Sequence, residues 1–142
     1  MQKPIVQSYL FFGGRCEEAL HFYETALGAH IEMLMRFDES TDPVPADRLA
    51  PGFEKKVMHA CFRIGDTSLM ASDGCEGDPK FDGFSLSLAV ATAEEADRAF
   101  AALSEGGEIG MPLSSTFWSP RFGMVTDKFG ISWMINVVAS PA

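Results

Sequence analysis

Apolar residues recur at helical spacing in two places along the chain. In the first they are Ala19, Phe22, Tyr23, Ala26 and Leu27; in the second they are Ala96, Ala99, Phe100 and Leu103. Each set lies on one stripe of a 3.6-residue period. Both stripes begin at Glu-Glu-Ala. Superposing Glu17-Glu18-Ala19 on Glu94-Glu95-Ala96 brings Tyr23 onto Phe100 and aligns the strand-like stretches 7–12 and 84–89 that precede them. One module is therefore used twice. The helix ends carry their own signals: Thr92 and Glu95 have capping-box spacing, while Gly28 and Gly106-Gly107 supply the left-handed residue that closes a helix.

Three strand-like segments follow each helix, 31–37, 58–64 and 68–72 in the first copy and 108–113, 121–126 and 132–137 in the second. Both copies read β-α-β-β-β, which predicts an α+β chain, 1–142, forming one domain of two modules, 5–73 and 84–138. The alternation Phe84-Ser-Leu-Ser-Leu-Ala-Val90 places Phe84, Leu86, Leu88 and Val90 against the helix and Ser85 and Ser87 on the other face. Two such curved sheets can enclose a pocket between their concave faces. The linker 74–83 is rich in turn residues. The longer segment 38–56 holds Pro43, Pro45 and Pro51 and has no periodicity, so it is either a disordered insertion or a lid, and the lid is the favoured reading.

Composition narrows the partners. With 20 acidic against 11 basic residues the 142-residue chain carries a net charge of −9, and no cluster of Lys and Arg offsets the repulsion a phosphate backbone would meet. Nucleic acid is excluded as an expected partner. No apolar run approaches the ~20 residues of a membrane span, and the start of the chain lacks the charged-then-apolar pattern of a secretion signal. The expectation is a cytoplasmic protein without membrane contact. Cys16, Cys61 and Cys75 fit no metal-knuckle or disulfide pattern and read as reduced thiols.

Strand register nominates the residues that line the pocket. A two-residue turn at Gly65-Asp66 sets Ile64 opposite Thr67, Cys61 opposite Met70 and His59 opposite Ser72, so His59 points into the cavity as an acid/base or ligand-binding group. Cys61 is a buried filler or, less simply, a nucleophile. Asp73 either orients His59 or ends the strand. In the second module a four-residue turn at 127–130 faces Arg121 towards Asn136, where a guanidinium would bind a carboxylate or phosphonate. Phe117 and Trp118, beside Pro120, offer a flat surface for a planar ligand, whereas Trp133 alternates onto the helix side and belongs to the core. Gly13-Gly14 lacks the G-x-G-x-x-G spacing of a cofactor loop.

Several of these segments, taken in order, resemble one known group. Ser8-Tyr-Leu-Phe-Phe-Gly-Gly-Arg-Cys-Glu-Glu-Ala-Leu-His-Phe-Tyr-Glu-Thr-Ala-Leu-Gly28, Met58-His-Ala-Cys-Phe-Arg-Ile-Gly65, Leu69-Met-Ala-Ser-Asp73, Phe117-Trp118 and Asp127-Lys-Phe-Gly-Ile-Ser-Trp133 are similar to the PhnB-like branch of the vicinal oxygen chelate superfamily. That is the glyoxalase, bleomycin-resistance and extradiol-dioxygenase group, and its PhnB-like sequences are also described as a 3-demethylubiquinone-9 3-methyltransferase domain. The resemblance implies paired βαβββ modules in an open eight-stranded barrel around a cavity, and a homodimer. It also implies metal positions in the first and last strand of each module. By spacing these fall on Ser8, Met70, Ser85 and Met134, none of which suits a divalent ion that wants carboxylate or imidazole. The reading is therefore a small-molecule-binding protein without metal or other cofactor, its ligand contacts being Ser8, His59, Cys61, Met70, Ser72, Asp73, Ser85, Phe117, Trp118, Arg121, Met134 and Asn136. The alternative is a lyase or transferase-type enzyme with His59 as acid/base or as a relocated metal ligand.

Overall fold

A computed structural model describes residues 3–42 and 44–138. The chain divides into two units, Met1–Pro79 and Lys80–Ala142. In the first, β1 (Tyr9–Phe11), α1 (Cys16–Leu27), β2 (His30–Arg36), β3 (Val57–Ile64) and β4 (Thr67–Ser72) form a sheet of order β1-β4-β3-β2 with one helix. In the second, β5 (Leu86–Val90), α2 (Ala93–Ser104), β6 (Glu108–Ser114), β7 (Phe122–Thr126) and β8 (Ser132–Val137) repeat the arrangement in the order β5-β8-β7-β6. The first strand of each unit runs parallel to the last, and the other pairs are antiparallel. Each unit is thus the βαβββ module that the repeat predicts, and the fold is α+β.

Each helix covers one face of its own sheet. Ala19, Leu20 and Tyr23 of α1 are fully buried with Leu10, Ala60, Phe62 and Ala71, and the Tyr23 ring stacks on Phe62 at 6.2 Å. Ala96, Ala99, Phe100 and Leu103 of α2 are buried in the second unit, as are Val125, Trp133, Ile135 and Val137. Phe84 is the exception to its expected packing: it lies ahead of β5, is 44% exposed and meets the Phe81 ring instead. Helix α2 is capped as its sequence predicts at one end, with Glu95 N–H donating to Thr92 Oγ1 at 3.1 Å. The Glu95 carboxylate reaches back to the N–H of Ala91, one residue further than an ordinary capping box.

Helix α1 has no side-chain cap of its own, because Arg15 occupies the position. Asp73, from the end of β4, does this work. Its buried carboxylate accepts the N–H groups of Gly14 and Cys16 at 2.7 Å each and that of Val57 at 2.8 Å, joining the start of α1 to the start of β3. A negative charge at a helix N-terminus is favourable. Both Asp73 oxygens serve backbone amides, and among the described residues no hydrogen bond joins them to His59. The Cys16 thiol is held far above its usual range by burial first, then by the charges of Asp73 and Glu17.

The segment 38–56, for which the lid is the favoured reading over a disordered insertion, holds short 3-10 turns at Phe37–Glu39, Ala46–Arg48 and Phe53–Lys55. Phe37 and Phe53 are buried, Phe37 N–H donates to Lys56 O at 3.0 Å, and Arg36 makes two 2.9 Å bonds to the Glu17 carboxylate. Those bonds hold the Glu17 carboxyl below the usual carboxylate range. The aromatic residues bury what the charged ones cannot, so the segment is tied at both ends. Among the described residues no helix is long and apolar enough to cross a membrane.

Candidate functional site

Because α1 and α2 cover one face of each sheet, the functional question concerns the other, open face. Paired residues on neighbouring strands point to the same side, so the register defines that face directly. In the first unit Met33 pairs with Cys61, Cys61 with Met70 and Met70 with Tyr9, giving one row across all four strands. In the second unit Met111 pairs with Met124, Met124 with Met134 and Met134 with Ser87. Met35, opposite His59, adds to the first set. Six of the chain's 8 methionines, Met33, Met35, Met70, Met111, Met124 and Met134, therefore sit on the two open faces. Thioether side chains are unbranched and polarisable and repack around varied apolar shapes.

A polar cluster interrupts the sulfur row of the first unit. Tyr9 Oη lies 3.0 Å from His59 Nδ1, and His59 Nε2 lies 3.6 Å from Cys61 Sγ. The Tyr9 and His59 rings are 5.6 Å apart and Tyr9 meets Phe11 at 4.9 Å. Tyr9 is 37% exposed and Phe11 54%, so this side of the sheet is accessible within its unit. The hairpin register predicted for Cys61 and Met70 is the observed one, and Ile64 does face Thr67. The β3–β4 pairs run from Ala60–Ala71 to Ile64–Thr67, short of the expected His59–Ser72 pair, and His59 pairs on its other side with Met35 of β2. Ser72 itself is buried, and its hydroxyl accepts the Gly74 N–H at 3.1 Å.

In the first strands the residues level with Met70 and Met134 are Tyr9, one position past the expected Ser8, and Ser87, two past the expected Ser85. Tyr9 pairs with Met70 as Ser87 pairs with Met134, so the fold matches Tyr9 with Ser87 and not Ser8 with Ser85. The cause is one extra residue between β1 and α1, absorbed at Gly13 and Gly14, whose φ values of +61° and +109° suit glycine. Ser8 falls on the side of Leu10, and only its carbonyl meets Met70. Ser85 does lie on the open side, donating to Ser132 Oγ at 2.8 Å. The corrected positions carry phenol, hydroxyl and two thioethers. They fit a divalent ion no better than the expected ones, because such ions favour imidazole and carboxylate.

Arg121 is also placed differently. The turn after β7 holds five residues between the paired Thr126 and Ser132, not four, which reverses the facing of every earlier position on the strand. Phe122 therefore faces Asn136, and Arg121 turns to α2, where its Nε donates to Asp97 Oδ1 at 2.6 Å. Asn136 Oδ1 is buried and accepts no hydrogen bond among the described residues. Near it Trp118 packs on Phe122 at 5.4 Å and on Phe117 at 4.7 Å, with Trp118 51% and Phe117 97% exposed. A turn held by Ser119 N–H to Thr116 Oγ1 and by Ser119 Oγ to Val137 O presents both rings outwards. Trp133 is in the core, as its alternation predicts.

Two features escaped the sequence. Tyr9 was hidden by the one-residue slip, although its alternation with Leu10 held the signal. A groove of about 330 Å3 beside α1, lined by Gly14, Glu17, His21, Arg36 and Lys56, is built by the folding of segment 38–56. Its Arg36 and Glu17 are already paired with each other.

The sequence profile of a family described as 3-demethylubiquinone-9 3-methyltransferase matches residues 4–136 of the chain. The chain is similar to protein YjdN of Escherichia coli, 38% identical over 138 residues that cover 92% of each. Among solved structures it is similar to PA1353 of Pseudomonas aeruginosa, with 38% identity, a TM-score of 0.83 and coverage of 97% of this chain and 100% of that one. A PhnB protein from Bacillus cereus is 31% identical with a TM-score of 0.78, covering 95% and 100%. In fold alone the chain resembles the fosfomycin resistance protein FosX of Listeria monocytogenes, at 11% identity, a TM-score of 0.62 and coverage of 98% and 96%.

Proposed function

The chain belongs to the family described as 3-demethylubiquinone-9 3-methyltransferase, the PhnB-like branch of the vicinal oxygen chelate superfamily, and from that premise we propose that it binds a small, partly planar organic molecule on its methionine-lined open sheet faces, without a metal. The carrying observation is the pair of sulfur rows, Met33-Cys61-Met70 and Met111-Met124-Met134, set by strand register in both units. Ligand sites are largely apolar with a few placed polar groups. Tyr9 and His59 in the first unit, and Asn136 Oδ1, which has no partner among the described residues, beside Trp118 and Phe122 in the second, supply such groups.

Methyl transfer, which the family's description names, finds no support in the one glycine turn that precedes a helix. The Gly14 and Cys16 amides are taken by Asp73 Oδ1, Gly13 N–H by Asp73 O and Arg15 N–H by Phe12 O, so none of the four amides from Gly13 to Cys16 is free to hold a cofactor. The residues at the superfamily's metal positions likewise disfavour an ion-dependent reaction.

A thermal-shift screen of planar aldehydes, thiol adducts, phosphonates and glycopeptide antibiotics tests the binding reading. A ligand at 100 times its dissociation constant stabilises the protein by about 2.7 kcal/mol, a shift of several degrees. Placing a carboxylate in either sulfur row, as Met70→Asp or Met134→Asp, is expected to weaken a hit at least ~10-fold, because a buried charge would face the ligand. Hits that survive both substitutions unchanged would move the ligand off the open faces.

We propose in addition that the protein is a homodimer. The exposed apolar side chains of Ile5, Val6 and Phe117, and β2 and β6 as terminal strands of their sheets, favour association. Light scattering at micromolar concentration should give twice the chain mass of 15.5 kDa; a species at 15.5 kDa alone would overturn it.

A further inference from the structure

We propose that Cys61 is a nucleophilic thiol that adds to conjugated carbonyl compounds, with His59 as its base and Tyr9 holding the imidazole. The inference rests on the binding reading only for where the electrophile lies. The geometry is that of an activated nucleophile: thiol and base within reach, 3.6 Å from Sγ to Nε2, and the base oriented by a third group, 3.0 Å from Nδ1 to the tyrosine oxygen. With the ring proton on Nδ1, that N–H donates to Tyr9 Oη and leaves the Nε2 lone pair facing the thiol. The Tyr9 hydroxyl proton then points away from the ring, free to donate to a carbonyl oxygen.

The other two cysteines lack this arrangement. Cys16 is fully buried at the start of α1 and its thiol is pushed up by burial and by Asp73. Cys75 is exposed, but its sulfur makes no side-chain hydrogen bond among the described residues. Cys61 alone combines partial exposure with a base, and its row neighbours Met33 and Met70, with Phe11 next to Tyr9, give the site an apolar floor for a soft, flat electrophile.

The step balances without a further reactant. The Sγ proton passes to His59 Nε2 as the sulfur lone pair forms a bond to the β-carbon of the unsaturated carbonyl. The C=C π pair shifts to the bond between the α-carbon and the carbonyl carbon and the C=O π pair moves onto the oxygen, giving an enolate that the Tyr9 hydroxyl stabilises by a hydrogen bond. The proton on Nε2 then returns to the α-carbon. One C–S bond forms, one π bond is lost and nothing leaves.

The probes are methyl vinyl ketone and N-ethylmaleimide, with adduct formation at each cysteine followed by peptide mass spectrometry on the folded full-length chain. Cys75 serves as the internal reference thiol. General-base assistance is typically worth 10²–10⁴-fold, so Cys61 should react at least ~100-fold faster than Cys75. His59→Gln should bring Cys61 to within ~3-fold of Cys75, and Tyr9→Phe should slow it ~10-fold, both relative to Cys75 in the same sample. Tyr9→Phe carries the test alone should His59→Gln fail to fold. Cys61 reacting no faster than Cys75, or keeping its rate in both variants, would overturn the proposal. If Cys61 fails in either of these ways while reversible ligands still raise the melting temperature of wild type and Cys61→Ser, this inference alone has failed. A fast Cys61 without any such ligand would instead count against the binding reading alone.

Discussion

Replacing Asp73 with alanine should cost about 3–5 kcal/mol, a large part of the ~5–15 kcal/mol by which a domain of this size is stable. Three backbone N–H groups converge on this one buried carboxylate: those of Gly14 and Cys16 on Oδ1 and that of Val57 on Oδ2. Hydrogen bonds to a charged acceptor are each worth ~1.5–3 kcal/mol, and buried donors left without one carry the desolvation cost in full. The expected fall in melting temperature is on the order of 10–20 °C. Asp73→Asn should cost less, because it can keep the oxygen that serves Gly14 and Cys16 and fails only at Val57. A variant as stable as wild type would mean that α1 is not capped in this way. The same pair of variants separates structure from chemistry. If Asp73 oriented His59, Asp73→Asn would slow Cys61 alkylation in protein that remains folded. With Asp73 turned to the backbone, that rate should be unchanged.

The element order was legible in the sequence because two independent signals coincide, the helical stripes and the β-alternation around them. The residues that close α1, Gly28, and start α2, Thr92, are local chemistry and act where they stand. Facing proved harder wherever it depended on a loop length. The repeat aligned on Glu-Glu-Ala carried the helices correctly, yet an extra residue at Gly13-Gly14 shifts β1 by one, which moves the open-face position from Ser8 to Tyr9. Five residues in place of four between Thr126 and Ser132 turned Arg121 from Asn136 to Asp97. A one-residue error in a period of two exchanges the faces completely, so a near-correct strand can yield a wrong site.

The hairpin between β3 and β4 escaped this error because Gly65-Asp66 admits a single short turn, and with it came Cys61 and Met70 in their true register. What the sequence could not supply is the partner brought from elsewhere. Tyr9 reaches His59 across 50 positions and Asp73 reaches Cys16 across 57, contacts that exist only once β1 has paired with β4. The methionine rows were present in the composition, but no local period links Met33, Cys61 and Met70; only the strand order does.

The motif Asp127-x-Phe129-Gly130-x-x-Trp133 should prove structural, and a double-mutant cycle can show it. Asp127 Oδ1 accepts the N–H groups of Phe129 and Ile131 at 2.9 and 3.1 Å, while Oδ2 accepts the indole N–H of Trp133 at 2.8 Å, with both side chains buried. In Asp127→Asn one oxygen can still serve the turn, but an NH2 group then faces the indole N–H, donor against donor. The expected loss is about 2–4 kcal/mol, combining a lost charged hydrogen bond with two buried donors left unpaired. Trp133→Phe removes the indole donor and some packing volume, at a cost of roughly 1–3 kcal/mol. In the double variant the asparagine no longer opposes a donor, so the combined loss should fall short of the sum of the two by about 1 kcal/mol or more, measured by denaturant unfolding. Additivity within ~0.5 kcal/mol is the behaviour of sites that do not touch and would refute the coupling. Throughout the cycle Cys61 should keep its reactivity towards N-ethylmaleimide in the folded protein, because Asp127 and Trp133 belong to the second unit and face α2, away from its open sheet surface.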